Sequence, residues 1–422
     1  MRLFAPNARG RIRESMFDGV KTRYPPRSMA LAQPKVKVLA RIADVTPAQW
    51  NALLPKGCPP VMRWEWLHAL EASGSSTADR GWEAQHLTLW QGTELLGAAP
   101  AWRKFHSMGE YVYDFGWANA AQSMGVEYYP KFLIGVPLSP ITAPRFLAAD
   151  GQSLTSVRAT LLDAALEHAK DSGCSSVHVI FPDGDEAAAL VEAGLHQRSS
   201  MQYHWKNPGY GIYEDYLSRF DSKRRNQLRR EQGAAQKQGI TLRTVRSSEL
   251  EKKHAEYAWR FYEHTASRHA WGPVQLTQDF FHRAFAAMPD AIELVVAEKD
   301  ERVIAGAFNL HTPTRLYGRY WGCFEEHPFL HFNVCLYHSV ADCIRAGRQV
   351  FEPGAGGEHK ISRGFEPTRI HSVHRIFNKR LDTAVHDFCR REAVEVLRVT
   401  TESEAISGLK PYAPKPLRPA SE

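Results

Sequence analysis

ELVVAEKDERVIAGAFNL, residues 293–310, is an apolar run, a turn at Lys299-Asp300 and a second apolar run. HLTLWQGTELLGAAPAW, residues 86–102, has the same shape, turning at Gln91-Gly92 and continuing through Leu95-Leu96-Gly97. Strand-forming residues on both sides of a short turn predict an antiparallel hairpin in each place. An aromatic-rich segment follows each hairpin, EYVYDFGW (110–117) and LYGRYWG (316–322), and predicts a third strand. The surroundings repeat as well. VMRWEWLHALEAS (61–73) precedes the first copy, and helical segments at about 249–269 and 277–287 precede the second. Behind the first come YYPKFLIGVPL, a helix at 155–171, the strand SVHVIF (176–181) and a short helix at 185–193. Behind the second come a helix over 330–347, the strand RQVFEP, a Gly-rich loop, a strand at 369–377 and a helix near 380–398. Phe332, Cys335, Leu336, Val340 and Ile344 keep the helical spacing of a sheet-covering face. A repeat this long predicts duplicated domains, since solenoid periods are only ~20–50 residues.

Composition limits the class. The 422 residues are 43% hydrophobic and 23% charged, as in a globular protein with a large core. No apolar run approaches the ~20 residues that span a bilayer. Six cysteines without a CxxC pair predict reduced thiols in a reducing compartment, hence a cytoplasmic location. HExxH is absent, and His327-Pro-Phe-Leu-His331 begins beside a proline, so no metal site is expected. A net charge of +7 predicts a polyanionic partner. Nine Lys/Arg in residues 1–37, against Glu14 and Asp18, account for part of it and read as a disordered basic tail. That tail lacks a secretory apolar core, and either an organellar leader or a start at Met29 is compatible with it.

A mixed sheet with a meander in front and β-α-β behind is the plan of the N-acetyltransferase (GNAT) fold. Tandem copies resemble the Fem-type bacterial enzymes, which move an amino acid from aminoacyl-tRNA to the peptide of a cell-wall precursor. GEYVYDFGWANA (109–120), YYPKFLIGVPLSPITAPRFL (128–147), SKRRNQLRRE (222–231), LYGRYWG and FEPGAGGEHKISRGFEP (351–367) resemble the FemAB-like family, labelled peptidoglycan biosynthesis/recognition. The resemblance spans roughly residues 45–400. It implies an α/β (α+β) fold of tandem duplicated GNAT-like domains, each a mixed, mainly antiparallel sheet flanked by helices. The expected division is a basic tail (1–40), a first, acceptor-side domain (41–206), a basic helical connector (207–239), a second, donor-side domain (240–400) and a C-terminal tail (401–422).

Four segments are candidates for chemistry. Acetyltransferases bind the coenzyme A pyrophosphate where a strand opens into a loop and helix. The comparable stretch after Leu133 carries Pro137, Pro140 and Pro144, which remove backbone donors. Ser139, Thr142 and Arg145 can still bind a phosphate or carboxylate there, or the loop can be a rigid wall. In the second copy Glu325 and Glu326 occupy the comparable place and repel a pyrophosphate.

The run SRFDSKRRNQLRRE lacks glycine and proline and predicts a continuous helix over 212–232. Arg224, Arg225 and Arg229 are its candidate contacts to a sugar-phosphate backbone or a diphosphate; the alternative is a solvated helix face. In LYGRYWG the glycines hint at a bulge, which in this fold presents a backbone N–H to the donor carbonyl. Arg319 among apolar and small residues must be paired or bind something. With Tyr320 or Tyr317 it can orient an anion and protonate a leaving oxygen. Asp114 in the first copy is its counterpart, a carboxylate to hold a substrate amine.

FEPGAGGEHKISRGFEP matches no nucleotide-binding glycine pattern. Fem-type enzymes have a lysine-and-aromatic element near the end of the second domain, and Lys360-Ile-Ser-Arg-Gly-Phe365 resembles it, with Lys360 and Arg363 both candidates to steady the donor. Glu358, Glu352 or His359 can serve as base for the acceptor amine. No G-x-S-x-G elbow is present, and no cysteine has a recognisable partner. The expectation is therefore transfer of an acyl or aminoacyl group by direct attack in a ternary complex, with aminoacyl-tRNA or acyl-CoA as donor and no permanently bound cofactor. The expected acceptor is a small molecule or cell-wall precursor. The alternatives are an acyl-CoA-dependent N-acyltransferase acting on a small amine, amino acid or lipid precursor, and a non-catalytic polyanion-binding protein.

Overall fold

The computed structural model describes residues 33–268 and 274–412. Both predicted hairpins form: β3 (His86–Gln91) with β4 (Glu94–Ala99), and β11 (Ile292–Lys299) with β12 (Arg302–His311). The remaining strands of the first half are β1 (Lys35–Leu39), β2 (Trp82–Ala84), β5 (Ala101–Lys104), β6 (Lys131–Ile134), β7 (Leu147–Ala148), β8 (Ser176–Ile180) and β9 (His196–Lys206). Those of the second are β10 (Thr241–Arg246), β13 (Arg315–Cys323), β14 (Val350–Glu352) and β15 (Glu366–Ile376).

They make a four-stranded sheet, β1-β3-β4-β7, and an eleven-stranded sheet, β10-β11-β12-β13-β14-β9-β15-β8-β6-β5-β2. Each half follows one plan. An antiparallel meander leads to a parallel pair, β13 with β14 in the second half and β6 with β8 in the first. Pro100 separates β4 from β5 and divides the first meander between two sheets, because proline cannot donate to a ladder. The last strands are exchanged. β15 lies against β8 of the first half, β9 lies against β14 of the second, and β9 and β15 pair from Glu366↔His204 to His374↔His196. Each half is thus a mixed, mainly antiparallel sheet flanked by helices, in an α/β fold that uses one plan twice.

Three expectations are corrected. EYVYDFGW is not a strand: residues 105–114 form a loop with Tyr111 and Tyr113 at φ 61° and 33°, followed by the helix Phe115–Ser123. Its Glu110 and Asp114 turn inward to a buried lysine, which an extended strand would not allow. The basic run is not one helix, because Asp221 caps a new start by accepting from the Arg224 backbone N–H at 2.7 Å, giving Tyr213–Ser218 and Ser222–Gln232. Residues 35–39, expected in the basic tail, form a strand that pairs with β3, and residues 1–32 lie outside the described residues. The C-terminal helix, Lys379–Ser407, is correspondingly longer, and residues 413–422 lie outside the described residues. Among the described residues no helix is long and apolar enough to cross a membrane.

The helix Lys252–Arg268 lies directly on β12 and β13 because two glycines admit it. A Cβ on Gly306 would fall 2.4 Å from the Phe261 ring, and one on Gly322 2.4 Å from the Phe261 carbonyl oxygen. Backbone cannot rotate away as a side chain can. Gly322→Ala is expected to lower stability by about 2–3 kcal/mol, read as a shift of the urea midpoint; an unchanged midpoint would show that this contact is loose.

Candidate active site

The strands β13 and β14 pair only at Arg315↔Val350, Leu316↔Phe351 and Tyr317↔Glu352, then part. Across β12, Phe308 faces Tyr320 while Asn309 faces Gly318, so Arg319 is an extra, bulged residue. The bulge leaves its peptide outside the ladder at the mouth of the opening. A Cβ on Gly318 would lie 3.1 Å from Pro353 Cα, so only glycine lets the two strands approach before they separate. The Arg319 guanidinium donates to the Leu138 carbonyl and, at 3.1 Å, to the Tyr320 hydroxyl, which itself donates to Leu138 O at 3.2 Å. The bulge of the second half is thereby tied to the proline-rich loop of the first. Among the described residues Arg319 Nε has no partner.

Glu352 ends β14 at the last rung before this opening and is 3% exposed. Its Oε1 accepts from Arg315 Nη1 at 3.0 Å, and among the described residues Oε2 has no partner. Burial pushes the carboxyl up to about 7, with Arg315 and then Arg319 opposing. On the neighbouring β9, His204 immediately precedes Trp205, the register partner of Phe351. Burial, then the charges of Arg315, Lys206 and Lys360, pushes His204 down to about 3, so it is neutral. Its Nε2 meets Gln202 Oε1 at 3.0 Å, and Gln202 Nε2 donates to Pro140 O at 3.0 Å.

The Gly-rich loop folds into a single 3-10 turn, Glu358–Arg363. Lys360 is buried and donates to the carbonyls of Gly354 (2.9 Å) and Gly356 (2.6 Å). Burial pushes its ammonium down to about 8. Arg363 forms a buried pair with Glu231 at 2.6 Å, donates to the Tyr337 hydroxyl at 2.8 Å and lies 3.6 Å from the centre of the Phe332 ring. Glu358 and His359 are exposed, with the His359 ring 5.3 Å from Phe332. Of the three candidate bases, Glu352 is the buried one and stands where β13 and β14 part.

Other expected residues lie elsewhere. Asp114 binds an amine, but of the protein itself. It accepts from Lys131 Nζ at 2.5 Å and from the Tyr128 hydroxyl at 2.6 Å, while Lys131 also donates to Glu110 at 2.8 Å and Ser107 Oγ at 3.0 Å. Burial pushes the Asp114 carboxyl up, but the Lys131 charge outweighs it and holds the group well below the usual range. Arg145 is enclosed, with Nε on Ile180 O and Nη2 on Ile141 O, both at 2.7 Å, so it braces the loop and has no face toward a ligand. Ser139 is buried and donates to Pro137 O, and Thr142 is half-buried. On the basic helix Arg229 is exposed, while Arg224 and Arg225 are half-buried. Arg229 pairs with the exposed Glu214 at 2.5 Å, Arg224 reaches Gln227 at 3.1 Å and Arg225 reaches Phe220 O at 3.4 Å. Sequence reasoning missed Glu231, although the spacing of Leu228 and Glu231, the two buried residues of that helix, was a signal for it. It also missed His204 and Gln202, whose alternation along β9 carries no such mark.

A family profile described as FemAB-like, peptidoglycan biosynthesis/recognition, matches residues 41–413. No curated protein matches the chain. Among solved structures it is similar to FemX, at 12% identity over 81% of this chain and 98% of that one, with a TM-score of 0.49. It is also similar to the C-terminal domain of a lysylphosphatidylglycerol synthetase from Agrobacterium fabrum (10%; 81% and 94%; 0.48). A third is a tandem GNAT protein from the clavulanic acid biosynthesis pathway (13%; 82% and 98%; 0.43).

Asp114→Ala leaves Lys131 and Glu110 as an incomplete buried cluster and is expected to destabilise by about 3–5 kcal/mol in urea unfolding. A loss below about 1 kcal/mol, the range of surface pairs, would free Asp114 for the substrate role.

Proposed function

We propose that this chain, which belongs to the FemAB-like family, transfers an acyl or aminoacyl group onto an amine in cell-envelope metabolism, at the opening where β13 and β14 part. The observation that carries this reading is Glu352: a buried carboxylate with one unpartnered oxygen, beside a strand bulge and an arginine. An ammonium entering the opening finds an acceptor for its proton in Glu352 Oε2. Burial has brought that carboxyl near neutral pH, where a general base works best. The free amine then attacks the donor carbonyl carbon, and the carbonyl electron pair moves to oxygen. The peptide freed at the Arg319 bulge and the Arg319 guanidinium stabilise that oxyanion. Collapse breaks the bond to the leaving oxygen or sulfur, which takes a proton from the Tyr320 hydroxyl, and the new amide nitrogen gives up its remaining extra proton to restore that hydroxyl. Lys360 keeps the Gly-rich loop folded beside the donor through its two carbonyl bonds.

For the donor, the stretch after β13 offers no pyrophosphate cradle. Glu325 and Glu326 lie there, and the helix that opens at Leu330 after Phe329 (φ 64°) widens at once into the π-helical turn Asn333–Tyr337. Arg224, Arg225, Arg229 and Arg230 instead present a basic helix bonded to the Gly-rich loop through Glu231–Arg363. This favours an acyl group delivered on tRNA over one delivered on coenzyme A.

Glu352→Gln is expected to lower kcat by about 10²–10³, and the wild-type rate should rise with pH to a plateau through about 7. Stability should move the other way. The native carboxyl holds its proton up to about 7 and the unfolded one only to about 4.5, so stability falls as pH rises between them. The glutamine variant should therefore be more stable than wild type at pH 8, by on the order of 2 kcal/mol. Wild-type transfer by Glu352→Gln would sink the assignment of Glu352 as the base, and no transfer by the wild type from either donor would leave a binding protein. Salt-sensitive tRNA binding should weaken in the double variant Arg224→Ala/Arg225→Ala, by about tenfold or more at 150 mM salt. Thermal protection by acyl-CoA without tRNA binding would instead select the coenzyme donor.

A further inference from the structure

Tyr337 belongs to two places. Its hydroxyl joins Glu231 and Arg363 beneath the Gly-rich loop, and its ring forms one wall of a cavity of about 530 Å³. The cavity lies between the basic helix Ser222–Gln232, the short helix Ala234–Lys237, the start of β10 and the π-helical turn Asn333–Tyr337. Its volume is within the ~300–1,000 Å³ of small-molecule sites.

The walls have a definite chemistry. Arg229 lines the cavity and pairs outside its lining with the exposed Glu214, and among the described residues that line it there is no carboxylate. Gln232, Gln236 and Asn333 contribute amides, Tyr337 and His338 contribute rings, and Ile240 and Leu242 add apolar surface. Asn333 is fixed by donating to Glu231 O at 2.8 Å and Phe329 O at 3.0 Å, and His338 Nε2 meets Thr244 Oγ1 at 2.8 Å. Among the described residues the side-chain amides of Gln232 and Gln236 have no hydrogen-bonding partner. The wall is itself an irregularity, since a π-turn widens a helix locally and such turns recur at binding sites.

We propose that this cavity binds the base and sugar of a nucleotide whose phosphate lies on Arg229 and Arg230. Amide side chains match the donor–acceptor edges of bases. Aromatic rings stack on base faces, and the rim is cationic where a phosphate would leave the cavity. The inference does not rest on the transfer chemistry and holds whichever group is carried.

The test is calorimetric titration of the full chain with adenosine monophosphate, ribose 5-phosphate and inorganic phosphate. Adenosine monophosphate should bind at least about tenfold more tightly than ribose 5-phosphate. Ala341→Trp, which fills the cavity, should abolish that difference. The double variant Gln232→Ala/Gln236→Ala changes only side chains at the cavity surface, and should weaken the nucleotide by about tenfold while leaving ribose 5-phosphate unchanged. It decides the matter if the tryptophan variant does not fold. Equal binding of the three probes, or nucleotide binding indifferent to the folded variants, would overturn the proposal. Glu352→Gln should bind the nucleotide as wild type does, so a failure of the catalytic reading and a failure of this one give different results.

Discussion

The pairing of β9 with β15 is the constraint on which the rest of the molecule depends. Each strand closes the other half's sheet, so neither half has a complete sheet by itself. Through it His204 comes beside the end of β14, and His374 of β15 meets His178 of β8 with their Nδ1 atoms 2.7 Å apart. That contact is fully buried, and burial holds both imidazoles below their ordinary range, so neutral rings share one proton between two nitrogens. The exchange also explains why the bulge in β13 can reach Leu138. A loop of the first half lies over a strand opening in the second because the joined sheet leaves it no other course.

Both halves bury charge. In the first, Lys131 collects Asp114 and Glu110, and nearby Lys104 is pushed by burial down to about 7, with His106 at 2.8 Å and the centre of the Trp82 ring 4.3 Å from its ammonium. These groups hold the 105–114 loop to the sheet, and among the described residues Glu110 Oε1 and Asp114 Oδ1 have no hydrogen-bonding partner. In the second half Glu352 is buried with a partly exposed arginine on one oxygen and nothing on the other. An unsatisfied buried carboxylate is costly unless something arrives to use it. Glu110 and Asp114 converge on one buried lysine, whereas Glu352 has a partly exposed arginine and stands at the last rung before β13 and β14 part. The first half's opening is filled from within, since Arg145 donates to Ile180 O at the end of β8.

Much of this was legible beforehand. Hairpin turns, helical periodicity and the spacing of the repeat are local properties, and the elements built on them form within a few residues of expectation. Arg319 could be singled out because a charge on a central strand demands a partner, and the bulge beside it followed from Gly318 and Gly322. The failures share one cause. EYVYDFGW reads as a strand by composition, but Glu110 and Asp114 are drawn to a lysine some twenty residues on, and that attraction outweighs strand propensity. Glu358 and His359 looked as suitable as Glu352, because three carboxylates and imidazoles in one loop differ only in the direction each faces.

The sequence by itself determined the duplicated plan, the family resemblance, the basic helix and the short set of residues able to do acid–base chemistry, since these depend on side-chain type and near-neighbour spacing. Only the tertiary structure decided which of them act together. Burial, the exchange of last strands and the parting of β13 from β14 set the local dielectric and the directions of side chains. Those depend on contacts between residues as far apart as Leu138 and Arg319, or Glu231 and Arg363, which no local pattern records.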